Sequence, residues 1–374
     1  MGTEVKELLL ERDEPPGSLN WNSWRWQLRN AVRNAETLEK IIPLNSEQKQ
    51  SLSKVIAKYP LAITPYYLSL IDRNNPQDAV RMQCVPSAEE MKLYFEMHDD
   101  PLGEEDDSVL PGLIHRYPDR VLLVLTNMCP VYCRHCTRKR QWCKGNWISR
   151  PKELENTYRY IEMHTEIRDV ILSGGDPLIL STAMLEGVLS RLRQIRHVEI
   201  VRIGTRCPVV LPQRIDAELV AMLKKYRPLW VNTHFNHPNE ITKESARAAD
   251  MMLCAGLALN NQSVLLKGIN DSVEIMTRLC QRLLGIGVRP YYLFQCDPVS
   301  GTAHFRTSVE KGIEIIRAMR GFTSGLCVPT FVVDGLKGQG KVPLAPNYLV
   351  SKEDNYMLLE GYEGKRFKYY NPED

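Results

Sequence analysis

Three cysteines within eight residues have the types and the spacing of an iron–sulfur site. Cys129, Cys133 and Cys136 follow the pattern C-x3-C-x2-C, directly after the apolar run 120–127. A loop of this length at the end of a strand lets three thiolates approach one centre. A structural zinc site takes four protein ligands, whereas three thiolates suit a [4Fe–4S] cluster with one iron open to another ligand. The pattern therefore predicts a cluster whose open iron is a place for chemistry.

Basic residues follow the triad, and their positive charge favours thiolates and offsets the negative charge of a cluster. They are Arg134, Arg138, Lys139 and Arg140. Cys143 leaves a second interpretation open, because a fourth thiolate would complete a zinc site. In that case the chain would be a non-catalytic zinc-binding interaction protein. Iron and sulfide analysis after anaerobic reconstitution distinguishes the two hypotheses.

A glycine-rich turn, Ser173-Gly174-Gly175-Asp176, follows a short apolar run. Glycines at a strand end let the backbone approach a ligand closely. A plain tight turn accounts for the same four residues equally well. The motif therefore marks a candidate ligand contact without identifying the ligand.

A second glycine-rich segment, 334–343, carries Lys337 and Lys341. It follows a predicted buried strand, so a lysine there could enter an active face and form a Schiff base with an aldehyde cofactor. The alternative is a mobile surface loop with solvated lysines. The residues alone leave both interpretations open.

Two arginines flank a tyrosine at Arg116, Tyr117 and Arg120. Guanidinium groups match the oxygens of a phosphate bidentately, so this segment is a candidate phosphate site. From the residues alone, arginines in surface salt bridges are the simpler interpretation.

From Arg120 onward, apolar runs alternate with amphipathic segments. The predicted strands are 121–126, 170–173, 199–204, 230–235, 258–266, 291–295 and 328–333. The predicted helices are 152–164, 182–195, 216–226, 240–255, 273–286 and 309–320. This alternation indicates successive βαβ units with a parallel sheet. No glycine-rich dinucleotide fingerprint follows the first strand, which favours an α/β fold of the partial (β/α)6 TIM-barrel type, with its active site at the carboxyl ends of the strands.

Three segments are predicted: a helical N-terminal region, 1–110, the barrel, 111–300, and a C-terminal segment with the lysine loop, 301–374. Helices are expected over 21–36, from an N-cap at Ser46, and from a third start at 86–90. The acidic run 99–107 is predicted to be a loop with a solvated charged face.

Composition sets broad limits on the function. The chain has 374 residues, a net charge of +3 and dispersed basic residues, which argues against nucleic-acid binding. No apolar run approaches the length of a membrane span, and no signal peptide is evident. Ten cysteines without a secretory signal favour a reducing compartment. We therefore expect a cytoplasmic protein.

The C-x3-C-x2-C pattern is that of the radical S-adenosylmethionine enzymes, and the chain from about Trp21 to about Tyr348 resembles lysine 2,3-aminomutase. The resemblance rests on the triad and on five further motifs. These are HRYPDR at 115–120, LSGGD at 172–176, PVVLPQR at 208–214, NTHFNHP at 232–238, and YY at 291–292 with QCD at 295–297.

The resemblance implies three cofactors. Cys129, Cys133 and Cys136 would hold a [4Fe–4S] cluster, and the residues lining the S-adenosylmethionine pocket would be Ser173, Gly174, Gly175, Asp176, His234 and Gln262. Arg116, Tyr117 and Arg120 would contact the phosphate of pyridoxal 5′-phosphate. Lys341 matches the cofactor lysine through its Gly-Lys-x-Pro ending, but the usual run of glycines is interrupted, so Lys337 is a second candidate.

The resemblance also implies a substrate site. Arg138 matches the arginine that binds the substrate carboxylate, and Asp297 and Asp334 match the aspartates that hold the distal ammonium of lysine. Two carboxylates argue against a glutamate-specific relative, since a buried cation needs partners. Arginine and ornithine stay open as substrates.

The implied activity is that of an isomerase that converts L-lysine to L-β-lysine. The runner-up is arginine 2,3-aminomutase or another reaction on a cationic amino acid. An electron donor such as flavodoxin or ferredoxin is implied as a partner. The family's zinc site is expected to be missing, because Ser272 stands where a cysteine is expected and no cysteine follows Cys327. A homo-oligomer is possible without that zinc.

Overall fold

A computed structural model describes residues 20–372, and a single ten-stranded sheet forms its centre. The strands neighbour one another in chain order, β1 to β10. Neighbours from β3 to β9 are parallel, while β1, β2 and β10 pair antiparallel at the two ends. The strands are β1 (Ser108–Leu110), β2 (Leu113–Tyr117), β3 (Arg120–Val124), β4 (Asp169–Ser173), β5 (Ile200–Gly204), β6 (Leu229–Thr233), β7 (Ala258–Leu265), β8 (Arg289–Gln295), β9 (Thr330–Gly335) and β10 (Gly340–Leu344). The sheet does not close, which confirms the predicted partial barrel.

Helices cover the sheet between successive parallel strands. They are α6 (Pro151–Met163), α7 (Thr182–Gln194), α8 (Cys207–Val210), α9 (Ala217–Lys225), α10 (Lys243–Cys254), α11 (Val273–Gly285) and α12 (Val309–Met319). Side chains alternate across each strand. In β3 and β5, for example, Val121, Leu123, Val201 and Ile203 are buried in the core, while the residues between them are partly exposed. The core therefore lies between the sheet and its helices, and the other face borders an open barrel interior.

Within the described residues, the N-terminal region forms helices, as predicted. They are α1 (Trp24–Arg29), α2 (Ala35–Ile41), α3 (Ser46–Lys58), α4 (Pro65–Leu68) and α5 (Ala79–Cys84). The single helix expected over 21–36 is wrong, because Val32 pairs with Ile63 and Asn34 caps a new helix.

Two helix starts differ from expectation. The N-cap of α3 is Asn45 rather than Ser46, and it forms a capping box with Gln48. The segment at 86–90 opens only a 3-10 turn, Ala88–Met91, which Ser87 caps. In both segments the capping sequence located the start of an element. It did not predict that Asn45 caps α3, or that the second element is only a 3-10 turn.

A three-stranded antiparallel sheet ends the described chain, formed by β11 (Leu349–Glu353), β12 (Tyr356–Glu360) and β13 (Arg366–Tyr370). Within residues 20–372, none of the helices combines the length and the apolar character needed to span a bilayer. The three-segment division stays a prediction, and its residues 1–19 and 373–374 lie outside the described part. β9 and β10, from the predicted last segment, belong to the same sheet as the barrel strands.

Candidate active site

The predicted site residues gather where the parallel strands end. The cysteine loop follows β3, Ser173 ends β4, His234 follows β6, Asp297 follows β8 and Asp334 lies near the end of β9. Carboxyl ends of neighbouring parallel strands meet at one edge, so loops distant in sequence share one pocket.

Buried ion pairs anchor the cysteine loop. Arg134 donates to the Glu90 carboxylate at 2.6 Å and to the carbonyls of Tyr59 and Pro60. Lys139 Nζ lies 2.6 Å from the same carboxylate. Arg134, Glu90 and Lys139 are almost fully buried. Removing one member of such a group would leave an uncompensated buried charge, which is strongly destabilising.

The basic residues of the cysteine loop are also held by carboxylates. Arg134 and Lys139 are engaged by Glu90, and Arg138 and Arg140 are engaged by Glu104. Burial, followed by the neighbouring Cys133 thiol, raises the pKa of Cys136 to about 11. The charges of Arg138 and Lys139 act in the opposite direction and lower this pKa.

A cation from another strand contacts the triad directly. Arg206, just after β5, donates from Nη1 to Cys133 Sγ at 2.7 Å, and the Arg138 backbone N–H donates to Cys136 Sγ at 3.4 Å. N–H donors aimed at sulfur are what bound thiolates require, so the donor set fits an iron–sulfur cluster. In the sequence, Arg206 stands out only as one of the polar residues at a strand end, with no specific role.

Cys143 is turned away from this arrangement. It is exposed, and its thiol donates to the Lys58 carbonyl oxygen at 2.8 Å. In the part of the chain that the structure describes, no three His, Cys, Asp or Glu side chains are grouped to hold one metal ion. The thiolates of a cubane cluster each bind a different iron, so they need not meet at a single point.

The glycine turn packs against the strand that leads into the cysteine loop. A Cβ on Gly174 would lie 2.3 Å from the Thr126 carbonyl oxygen, and one on Gly175 would lie 2.1 Å from that of Met128. The two glycines therefore allow a close contact with the protein's own backbone, in addition to the close approach predicted for a ligand. Asp176 is also engaged, since it accepts from Thr205 Oγ1 and from the Arg206 backbone N–H, both at 2.7 Å.

His234, directly after β6, lies beside Gln262, which is within β7. His234 Nδ1 lies 2.9 Å from the Gln262 carbonyl oxygen. Burial, reinforced by the charge of Arg206, lowers the pKa of His234 to about 4, so its ring is neutral at pH 7. The contact of His234 and Gln262 with S-adenosylmethionine stays a prediction.

The predicted phosphate segment is a hairpin rather than a lead-in to the first strand, because β2 pairs antiparallel with β3. Arg116 donates to Asp107 Oδ2 and to the Leu102 carbonyl oxygen, both at 2.6 Å. The guanidinium of Arg120 lies 4.5 Å from the Tyr117 ring centre. The alternative of arginines in salt bridges thus holds in this structure for Arg116 and also for Arg120, which pairs with Asp119 at 2.9 Å, while the phosphate contact stays a prediction.

The lysine loop lies against this hairpin. A Cβ on Gly338 would be 3.2 Å from Arg116 Nε, and one on Gly340 would be 3.3 Å from the Tyr117 hydroxyl. Two segments more than two hundred residues apart, both predicted to serve the same cofactor, are therefore neighbours. This contact is an observation that supports a common binding site for them.

The two candidate lysines differ in position. Lys341 lies on β10 directly opposite Asp334, with 2.6 Å between Nζ and Oδ1, and its ammonium is 4.6 Å from the Phe294 ring centre. Lys337 has a left-handed backbone, φ 52°, and its N–H donates to the Pro101 carbonyl oxygen. Lys341 is thus beside the predicted substrate aspartate, while Lys337 packs on the acidic segment.

The two predicted substrate aspartates influence each other. Burial, followed by the charge of Asp334, raises the pKa of Asp297 to about 7. Two carboxylates near one another in a desolvated site resist joint ionisation. A cation bound between them would relieve that repulsion, so the pair fits a cationic ligand.

The acidic segment is a loop, as predicted, but only part of its charge is solvated, since Asp99, Glu105 and Asp106 are exposed and the other acidic side chains form ion pairs. Glu104 is buried and pairs with Arg138 and Arg140, Asp100 pairs with Arg140, and Asp107 pairs with Arg116. Although burial alone would raise it, the guanidinium of Arg138, with Arg140, lowers the pKa of Glu104 to about 2. The sequence did contain a signal for these ion pairs, because it has an acidic run at 99–107 and a basic run after the cysteines.

An open parallel barrel with a three-cysteine loop after its first parallel strand defines the class of radical S-adenosylmethionine enzymes. Residues 123–277 match the family model of the radical SAM superfamily. Residues 316–374 match the family model described as lysine-2,3-aminomutase.

Relatives cover nearly the whole chain. It is 53% identical to the L-lysine 2,3-aminomutase of Clostridium subterminale over 353 residues, which are 94% of this chain and 85% of that protein. It is 48% identical to that of Bacillus subtilis, over 99% and 78% of the two chains. Identity to the glutamate 2,3-aminomutase of Clostridioides difficile is 46%, over 93% and 82%. The chain therefore belongs to the lysine 2,3-aminomutase family.

Members of this family are isomerases that use a [4Fe–4S] cluster, S-adenosylmethionine and pyridoxal 5′-phosphate. The predicted family, enzyme class and cofactors are thereby confirmed. The comparisons do not favour a zinc-binding interaction protein or a different aminomutase.

Proposed function

We propose that this protein moves the α-amino group of L-lysine to the β carbon to give L-β-lysine. The observation that carries the choice of lysine is the pair formed by Asp297 and Asp334 beside Lys341. A pKa of about 7 for Asp297 reflects two carboxylates in one desolvated site, and a distal ammonium would be the counter-ion of both.

Family membership by itself leaves the substrate undecided, because a glutamate 2,3-aminomutase is among the relatives at 46% identity. A glutamate γ-carboxylate would meet Asp297 and Asp334 as a third negative charge and would be repelled. The charge at this position therefore supports a cationic side chain over an anionic one.

We assign the cofactors to the residues that fit them. The three cysteines would hold the cluster, with S-adenosylmethionine along 173–176, His234 and Gln262. The hairpin of Arg116, Tyr117 and Arg120 would receive the phosphate of pyridoxal 5′-phosphate, whose aldehyde would bind Lys341. Together these groups supply a carbon radical and an electron-delocalising ring.

The chain's own residues supply binding and orientation. Arg138 would bind the substrate carboxylate through Nη2, whose second N–H is left over after Nε and Nη2 donate to Glu104 and Nη1 donates to Ser173 and Gly174. The two aspartates would bind the distal ammonium, which would replace Lys341 as the counter-ion of Asp334. Contacts at both ends of the substrate would hold the β carbon in a constant position, which is the main contribution of a protein to radical chemistry.

Incubation of the reduced, reconstituted enzyme with single amino acids tests the proposal. Lysine, arginine, ornithine and glutamate are supplied separately, and β-amino acid products are measured by mass spectrometry. Formation of β-lysine from lysine supports the assignment. Conversion of arginine or glutamate while lysine is unchanged would overturn it.

Reductant, location and assembly are further proposals. A flavodoxin or ferredoxin would supply the electron in the cytoplasm, a location supported by all ten cysteines being free thiols in the described residues. We propose a homo-oligomer that forms without the family's zinc site. Ser272, which stands where a cysteine ligand is expected, is the N-cap of α11 in this chain. Light scattering of the purified protein measures the assembly.

A further inference from the structure

Arg206 contacts the cysteine triad from outside the cysteine loop. Its Nη1 lies 2.7 Å from Cys133 Sγ, and its side chain is buried, with a relative exposure of 9%. The other cations near the triad are directed to carboxylates: Arg134 and Lys139 to Glu90, and Arg138 to Glu104. Arg206 is thus the cation whose side chain donates to a cluster cysteine.

The other two nitrogens of the Arg206 guanidinium, Nε and Nη2, are also engaged. Nη2 donates to Gln83 Oε1 at 2.6 Å, to Glu240 Oε1 at 2.7 Å and to the Tyr67 hydroxyl at 3.1 Å. Nε donates to the His234 carbonyl oxygen at 3.1 Å. Because Nε and Nη2 are both hydrogen-bonded, the guanidinium has little freedom to turn Nη1 away from the sulfur.

Glu240 connects this arginine to the rest of the fold. It is fully buried and accepts from the Tyr67 hydroxyl at 2.7 Å and from the Asn236 backbone N–H at 2.6 Å. The N-terminal helices α4 and α5 contribute Tyr67 and Gln83 to this network. The orientation of the cluster-facing N–H therefore depends on contacts between the N-terminal region and the barrel.

We propose that Arg206 is a positioning residue that raises the reduction potential of the [4Fe–4S] cluster through its hydrogen bond to Cys133, and that Glu240 moderates this effect. One electron enters the cluster from an external low-potential reductant such as dithionite, no bond forms or breaks, and no proton moves. The reduced cluster carries one more negative charge, so a cationic N–H donor stabilises it more than the oxidised cluster. The proposal rests on the assignment of Cys133 as a cluster ligand.

Redox titration of anaerobically reconstituted protein, followed by electron paramagnetic resonance without added S-adenosylmethionine, tests this role. Arg206→Gln should shift the midpoint potential to a more negative value, and Arg206→Lys, which retains the charge, should lie between it and the wild type. An unchanged or more positive potential in R206Q, or a potential in R206K equal to that in R206Q, would overturn the proposal.

Arg214→Gln is the matched control. Arg214 is also fully buried, but it donates to the carbonyl oxygens of Leu178 and Leu180 and not to a cysteine. R214Q should keep the wild-type potential. An equal negative shift in R214Q would show that loss of any buried arginine perturbs the barrel, and would reject a specific effect of Arg206.

If R206Q does not assemble a cluster, Glu240→Gln tests the proposal instead. Neutralising Glu240 leaves the charge of Arg206 less compensated, so the potential should shift to a more positive value. An unchanged or more negative potential in E240Q would contradict the proposal. Because no substrate is present, these results are independent of whether lysine is the substrate.

Discussion

The carboxylate of Glu104 lies side-on against the guanidinium of Arg138. The Nε–Oε distances are 3.0 and 2.9 Å, and the Nη2–Oε1 distance is 2.6 Å. On its other side, Nη1 donates to Ser173 Oγ at 3.1 Å. The arginine proposed to bind the substrate carboxylate is therefore oriented before any substrate arrives, and pre-orientation reduces the entropy lost on binding.

Glu104→Gln is expected to weaken substrate binding more than it slows turnover. Hydrogen bonds to charged groups are worth about 1.5–3 kcal/mol, so a misoriented Arg138 should raise KM for lysine about tenfold or more, at ~1.4 kcal/mol per factor of ten. Steady-state kinetics with lysine measure the change. Glu105→Gln is the control, because that exposed carboxylate pairs only with Arg140 and Lys144. A loss of kcat with unaltered KM in E104Q would contradict this role.

Lysine binding is expected to depend on pH through Asp297. Its carboxyl group has a pKa raised to about 7 by burial and by Asp334, so it is neutral below that pH and cannot pair with an ammonium. KM for lysine should therefore fall as the pH rises through about 7. Asp297→Asn should remove this step and bind lysine weakly throughout, while pyridoxal 5′-phosphate still binds. The same pH step in D297N, or equal loss of cofactor and substrate binding, would refute the assignment.

Lys341→Ala is expected to abolish the visible absorption of covalently bound pyridoxal 5′-phosphate while the iron content is unchanged. Lys341 is expected to be the cofactor lysine because it lies on β10 beside Asp334 and Phe294. Lys337→Ala is the matched control, since that lysine packs on the acidic segment through its backbone. Absorption spectra of both reconstituted variants measure the outcome. If only K337A loses the absorption, Lys337 is the cofactor lysine.

Gly175→Ala is expected to destabilise the cysteine loop. Its Cβ would lie 2.1 Å from the Met128 carbonyl oxygen, a backbone atom that cannot move without shifting the cysteine loop. Overpacking of this kind costs about 1–3 kcal/mol, so the melting temperature and the iron content should both fall. In Gly187→Ala, at an exposed position of α7, the Cβ meets nothing within 4 Å, and stability should rise by roughly 0.5–1 kcal/mol. Wild-type stability and iron content in G175A would contradict the packing argument.

Most of the barrel was predictable because its signals are local. The expected strand at 170–173 is Asp169–Ser173, and the expected helix at 273–286 is Val273–Gly285. Apolar runs and serine or aspartate caps specify such elements from neighbouring residues alone. The helix expected over 21–36 failed because Val32 pairs with Ile63, a contact that no local pattern encodes.

By itself, the sequence determined the cysteine triad, the order of strands and helices, and the end of the barrel at which polar residues collect, since each depends on spacing along the chain. Only the tertiary structure decided which charges meet. It paired Glu104 with Arg138 and aimed Arg206, rather than the arginines next to the cysteines, at Cys133 Sγ. Ion pairing depends on distance and desolvation in space, and segments far apart in sequence acquire those only when the barrel brings its strand ends together.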